Sequence, residues 1–191
     1  MKKGIWIFLS VIMISCGNST ATSEIPNTEA ESVLEVNYDP ERNVDSLGIV
    51  LRDQGTPLAN YVHAVRSGNL VFLAGKGPKQ ANGENIVGKL GVDLSIEEGY
   101  IAAREVAINQ LSVLKAELGN LNKVKRIVKV HGMVNAIPEF TDHSKVINGY
   151  SDTMVAVFGE RGKHARAAVG MGSLPGNMAV EVEMIVEVFE E

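Results

Sequence analysis

Aromatic side chains are scarce in this 191-residue chain, at 5% of positions, so a core has to be assembled from Val, Leu, Ile, Ala and Met. Cysteine is scarcer still: Cys16 stands alone, which excludes an intramolecular disulfide. Positive charge is in deficit. The net charge is −5, and it becomes −7 when the first fifteen residues, with Lys2 and Lys3 and no acid, are set aside. Nucleic-acid binders usually show a basic face, so this balance argues against a nucleic-acid partner. The four histidines, His63, His131, His143 and His164, lack metal-ligand spacing, and no metal is expected. "GKGPKQANG" has the glycines of a phosphate loop without its Gly-Lys-Ser/Thr ending. No Ser-His-Asp or Cys-His nucleophile arrangement is visible. What is present, 45% hydrophobic and 21% charged residues, is a globular composition sufficient for one domain plus a tail.

The N-terminus reads "MKKGIWIFLSVIMISC": two lysines, an apolar run from Gly4 to Ile14, then Ser15 and Cys16. That run is too short to span a bilayer as a helix, and its layout is that of an export signal. It resembles a bacterial lipoprotein signal, in which the cysteine is lipidated and becomes the new N-terminus. Residues 1–15 are therefore expected to be a signal peptide, and residues 16–39 a lipidated Cys16 with a flexible tether. "GNSTATSEIPNTEAES" (17–32) has the polar composition of such a spacer. Gly17 does not match the aspartate associated with inner-membrane retention. The expected location is the bacterial cell envelope, preferably the outer membrane or periplasmic face, with membrane contact through the lipid only. The alternative is a free or buried thiol placed there by chance.

Residues 40–191 carry the pattern of a folded domain. "PERNVDSLGI" (40–49) predicts a short helix from Pro40 to a stop at Gly48. Two β-rich runs in 60–75 meet at Ser67-Gly68-Asn69, a hairpin signal. Residues 77–94 form a glycine-punctuated loop. From Ser95, paired with Glu98 in a capping-box pattern, a helix runs to Leu118 and stops at Gly119. Its apolar stripe is Ile101, Ala102, Val106, Leu111, Leu114 and Leu118. Residues 124–136 predict a strand and 143–160 a second helix, with Gly149 an awkward residue inside it. Two strands around "SLPGN" (173–177) complete a β-β-α-β-α-β-β order. This is an α+β domain with two helices packed on one face of a mixed sheet.

Pairing the last two strands as a hairpin sets Ala165, Ala167, Val169 and Met171 opposite Val186, Met184, Val182 and Val180 on an apolar, helix-covered face. Arg166, Ala168 and Gly170 then share the opposite face with Glu181, Glu183 and Ile185. Three readings fit that charged face: a solvated surface ion pair, a subunit interface, or a small-molecule site. In the last, Arg166 would grip a carboxylate and a glutamate would position water or move a proton.

From Tyr61 to Val188 the chain resembles the Rid family, also called YjgF/YER057c/UK114. The matching pieces are "NYVHAVRSGNLVFLAGKGP", "NGYSD", "HARAAVG" and "LPGNMAVEVE". The resemblance implies a chorismate-mutase-like fold assembled as a homotrimer, with uncovered sheet faces meeting centrally and ligand clefts between subunits. It implies enamine/imine deaminase activity: hydrolysis of reactive 2-imino and 2-enamino acids to 2-oxo acids and ammonia, with no metal or organic cofactor. By position, Arg166 matches the substrate-carboxylate grip and Glu181 the acid that orients water or transfers a proton. Gly75 matches a backbone contact at the cleft, and Tyr61 and Asn148 match residues that line or support it.

The chain departs from the family pattern at Ala74 and Lys76, around Gly75, at Ala168, where many active members have cysteine, and at His164, which replaces a common proline. Lys76 either adds a second positive charge for a more acidic ligand or is solvated, the second being preferred. His164 is assigned no more than a supporting role. Two functions remain open: a Rid-type deaminase, favoured by Arg166 together with Glu181, and a non-catalytic envelope protein that binds or senses small carboxylates, favoured by Ala74 and Ala168. A purely structural envelope trimer is a weaker third.

Overall fold

A computed structural model describes residues 38–57 and 59–190; the expected signal, Cys16 and nearly all of the tether lie outside the described residues. The elements are α1 (Pro40–Ser46), β1 (Ala64–Ser67), β2 (Leu70–Lys76), α2 (Ile96–Leu118), β3 (Val124–Asn135), α3 (His143–Phe158), β4 (Ala165–Met171) and β5 (Val180–Val188). Their order is the expected one. Helix α1 begins where the Asp39 side chain accepts from the Arg42 amide and stops at Ser46, short of Gly48. At α2, Ser95 and Glu98 cap each other reciprocally, and Gly119 ends the helix at φ 73°. The buried stripe of α2 includes Ala102, Val106, Leu111, Leu114 and Leu118, whereas Ile101 turns outward and is 50% exposed.

Gly149 explains itself in three dimensions. A Cβ there would lie 2.0 Å from the Tyr100 carbonyl oxygen, so only glycine lets α3 press against α2. Gly132 of β3 makes similar room for Ile147 of α3. The five strands form one mixed sheet in the order β1-β2-β5-β3-β4. Val71 and Leu73, Val130 and Val134, and Val180, Val182, Met184 and Val186 form a single core with the buried stripes of α2 and α3. The fold is α+β and chorismate-mutase-like, with its helices on one face.

The closing hairpin is not formed. Strand β4 pairs in parallel with β3, with Val130 opposite Arg166, Gly132 opposite Ala168 and Val134 opposite Gly170. Strand β5 pairs with the other edge of β3, antiparallel, so β3 separates the two. Parallel neighbours need a crossover, and α3 supplies it. The "SLPGN" segment instead passes the end of β3: the Asn135 amide donates to Ala179 and the Ala136 amide to Met171. This pairing inverts the faces of β4. Arg166, Ala168 and Gly170 lie on the helix side, and Glu181 and Glu183 stay on the uncovered side, so the expectation that they share one face is overturned.

Both ends of the described domain meet on one cation. The Arg161 guanidinium stacks over the Tyr38 ring at 4.4 Å and the Phe189 ring at 5.1 Å.

Candidate functional site

Strand β4 is an edge strand, and α3 runs along its helix-side surface. A Cβ at Gly170 would meet the His143 ring at 2.3 Å, and Ala168 packs on the core. Arg166 reaches the residues one and two turns along. Its guanidinium donates to Asn148 Oδ1 at 3.0 Å and to Ser151 Oγ at 2.9 Å. The Ser151 hydroxyl is 3.0 Å from His164 Nε2, and His164 Nδ1 is 2.7 Å from the Gly162 carbonyl. A carbonyl only accepts, so Nδ1 carries the proton and Nε2 accepts from Ser151. The Ser151 oxygen is thereby free to accept from Arg166. Burial, and then the charge of Arg166, lower the His164 pKa against the opposing effect of the Gly162 bond, which keeps the ring neutral. All these partners are neutral. Among the described residues no carboxylate pairs with Arg166.

Glu181 belongs to the other face. It sits opposite Met133 on β3, and its carboxylate occupies the space a Cβ of Gly75 would take, 2.1 Å from Oε1. The local cause is a bulge: pairing of β2 with β5 slips by one residue between Leu73 and Lys76, which brings the backbone at Gly75 toward β5. Burial, reinforced by the neighbouring Glu183, pushes the Glu181 carboxyl above the usual carboxylate range. A carboxyl so placed can hold or release a proton nearer neutrality than an exposed one.

Lys76, next to Gly75, is half-buried rather than fully solvated. Its Nζ lies 2.6 Å from His63 Nδ1, and burial pulls its pKa down. His63 Nε2 is 3.0 Å from the Gly55 carbonyl, so Nε2 carries the proton and Nδ1 accepts from the lysine. Tyr61 is exposed, with its ring 6.4 Å from that of His63. On the uncovered face a cavity of about 430 Å³ is lined by Phe72, Lys129, His131, Ala167, Glu183 and Ile185, among others. His131 is 3.2 Å from Glu183 within it. Neither Arg166 nor Glu181 lines this cavity.

The structure thus brings Arg166 together with Asn148, and Gly75 together with Glu181, with Tyr61 near the second pair through His63. It does not bring the two pairs together. Two residues escaped the sequence reading. Ser151 shares a helix face with Asn148 three positions away, a spacing that would have revealed it. Gln110 sits inside the apolar stripe of α2, where a polar side chain is itself a signal. Among the described residues no group of three or more His, Cys, Asp or Glu side chains is placed to hold a metal.

Residues 41–188 match the family model described as "YjgF/chorismate mutase-like, putative endoribonuclease". The chain belongs to this family, the one also called Rid. It is 45% identical over 146 residues to protein TCP17 of Trypanosoma cruzi, covering 76% of this chain and 91% of that protein. Among solved structures it is similar to Atu1372 of Agrobacterium tumefaciens, a protein of unknown function, at 39% identity and TM-score 0.72, covering 83% of this chain and 97% of that one. It is also similar to RidA of the Antarctic bacterium Psychrobacter sp. PAMC 21119, at 25% identity and TM-score 0.51, covering 72% of this chain and 98% of that one.

Proposed function

We propose that the protein hydrolyses reactive 2-imino and 2-enamino acids to 2-oxo acids and ammonia. The site is a cleft between copies of a homotrimer, one copy contributing Arg166 and another Glu181. The observation that carries this reading is the uncompensated Arg166 guanidinium, held in place by neutral side chains alone. A bidentate cation so oriented suits the carboxylate common to all these substrates. The chemistry needs little more. Water adds to the C=N carbon of the iminium, Glu181 takes a proton from that water, and the proton passes to the departing nitrogen as the C–N bond breaks. R–C(=NH2+)–CO2− plus water becomes R–CO–CO2− plus ammonium, with charge and atoms balanced. Orientation and a proton shuttle suffice for an electrophile already activated. The net charge of −5 works against RNA as the substrate.

The test generates 2-iminopropanoate in situ with an amino-acid oxidase and follows its decay. Wild type is expected to accelerate hydrolysis, with Arg166→Ala and Glu181→Ala each losing about 10²–10³-fold, the range for removal of one preorganised polar group. One observation favours a second reading. Ala168 and Gly170, which share the Arg166 face of β4, offer a ligand no polar side chain. In a carboxylate-binding protein no acceleration occurs, and 2-oxo acids raise the melting temperature only when Arg166 is present.

A further inference from the structure

Gln110 is a fully buried amide on α2, flanked by Val106, Ala107, Leu111 and Leu114. Its Nε2 donates to the Ala74 carbonyl at 3.1 Å and to the Val182 carbonyl at 2.8 Å. Ala74 directly precedes Gly75 on β2, and Val182 directly follows Glu181 on β5. Both amide hydrogens therefore join the two strands at the place where their register slips. Its Oε1 is buried and accepts from no group among the described residues. An apolar residue would fill this volume without leaving an orphaned acceptor, so the position makes sense through its two donors.

We propose that Gln110 is a positioning residue for Glu181: it clamps β2 to β5 from the helix side and holds the bulge that leaves the carboxylate the space over Gly75. The proposal rests on the reading of Glu181 as the proton-carrying group of the cleft. The clamp acts through the backbone, because Gln110 and the Glu181 carboxylate lie on opposite sides of the sheet. The groups facing that carboxylate are Gly75 from β2 and Met133 from β3, neither titratable, and Glu183 on its own strand, which is in turn bonded to His131. When the clamp is lost, the bulge relaxes and the carboxyl gains water. The Arg166 pocket, on β4 and α3, is left as it was.

The variant is Gln110→Met, close in volume and without donors, and the control is Leu111→Ala, a core truncation on the same helix. Carbon-13 NMR of glutamate-labelled full chain follows Glu181, assigned by the signal missing in Glu181→Gln. This readout needs no activity. In wild type the carboxyl is expected to titrate above the ordinary range. In Gln110→Met its midpoint is expected to fall toward that range, and in Leu111→Ala to stay at the wild-type value despite lower stability. In the imine assay, Gln110→Met is expected to lose at least tenfold in kcat and to shift the acid limb of its pH profile equally, with KM little changed. Identical Glu181 titration in wild type and Gln110→Met, or an equal shift in Leu111→Ala, overturns the clamp. Absence of wild-type hydrolysis, with the NMR shift intact, removes the deaminase reading and leaves the clamp standing. Should Gln110→Met not fold, Gln110→Leu, which also lacks the donors, replaces it with the same two outcomes.

Discussion

Arg166 and Glu181 stand on opposite faces of one sheet, with β3 between their strands. A small ligand in contact with both cannot lie within a single copy of this chain. The two residues serve separate sites, or a second copy supplies the missing one.

That choice can be read by mixing. If each cleft takes Arg166 from one copy and Glu181 from its neighbour, co-assembled Arg166→Ala and Glu181→Ala chains regain intact clefts. Each mixed trimer, whichever variant is in the majority, then has one intact cleft of its three, so hybrids restore about one third of the wild-type number. The measurement is imine hydrolysis by hybrids purified through two different tags. Activity no greater than that of either parent would remove the shared cleft.

The half-buried carboxyl of Glu181 also predicts a pH dependence of stability. Burial holds its proton in the folded state to a higher pH than in the unfolded chain. Between those two values the folded state binds more protons, so stability falls as pH rises through the window, and the penalty persists above it. Glu181→Gln removes the penalty. It is expected to melt a few degrees above wild type at pH 8 and together with it at pH 4, as followed by circular dichroism. A gain confined to acid pH would contradict the assigned direction. A site residue that costs stability at its working pH is a common compromise.

The envelope anchor is tested on the full chain in a bacterium that processes lipoproteins. The mature protein is expected to begin at Cys16, to carry the mass of a diacylglyceryl group with an amide-linked acyl chain, and to enter the detergent phase. Several acyl chains give stable anchoring where one gives a marginal hold. Cys16→Ser is expected to lose the lipid mass and to leave the melting temperature of the domain unchanged. An unmodified Cys16 on a chain that stays in the cytoplasm would leave the thiol with no assigned role.

Much of the fold was legible because its local signals agree with one another. Ser95, Glu98 and Gly119 bracket α2, and the alternation of Val180, Val182, Met184, Val186 and Val188 marks one face of β5. The β4 pairing was not legible, for a physical reason. Alternation says which residues share a face and nothing about which strand lies beside them, and "SLPGN" makes a turn in either topology. The faces of β4 are therefore decided by the α3 crossover, which only the whole fold supplies. Arg166 was found through a motif, yet its surroundings depend on that crossover. Gly149 posed the reverse problem: a local demerit inside a helix proved to be the point of contact with Tyr100.

The stack of Tyr38, Arg161 and Phe189 places the entry and exit of the domain side by side. A pull on the segment ahead of Tyr38 is met at this stack, at the Tyr38 hydroxyl, which donates to the Val124 carbonyl at the start of β3, and at the α1 ion pair between Glu41 and Lys115. The same neighbourhood makes the chain a candidate for circular permutation: a short linker from Phe189 to Tyr38, with new ends opened in the 77–94 loop, would retain every strand pairing described above.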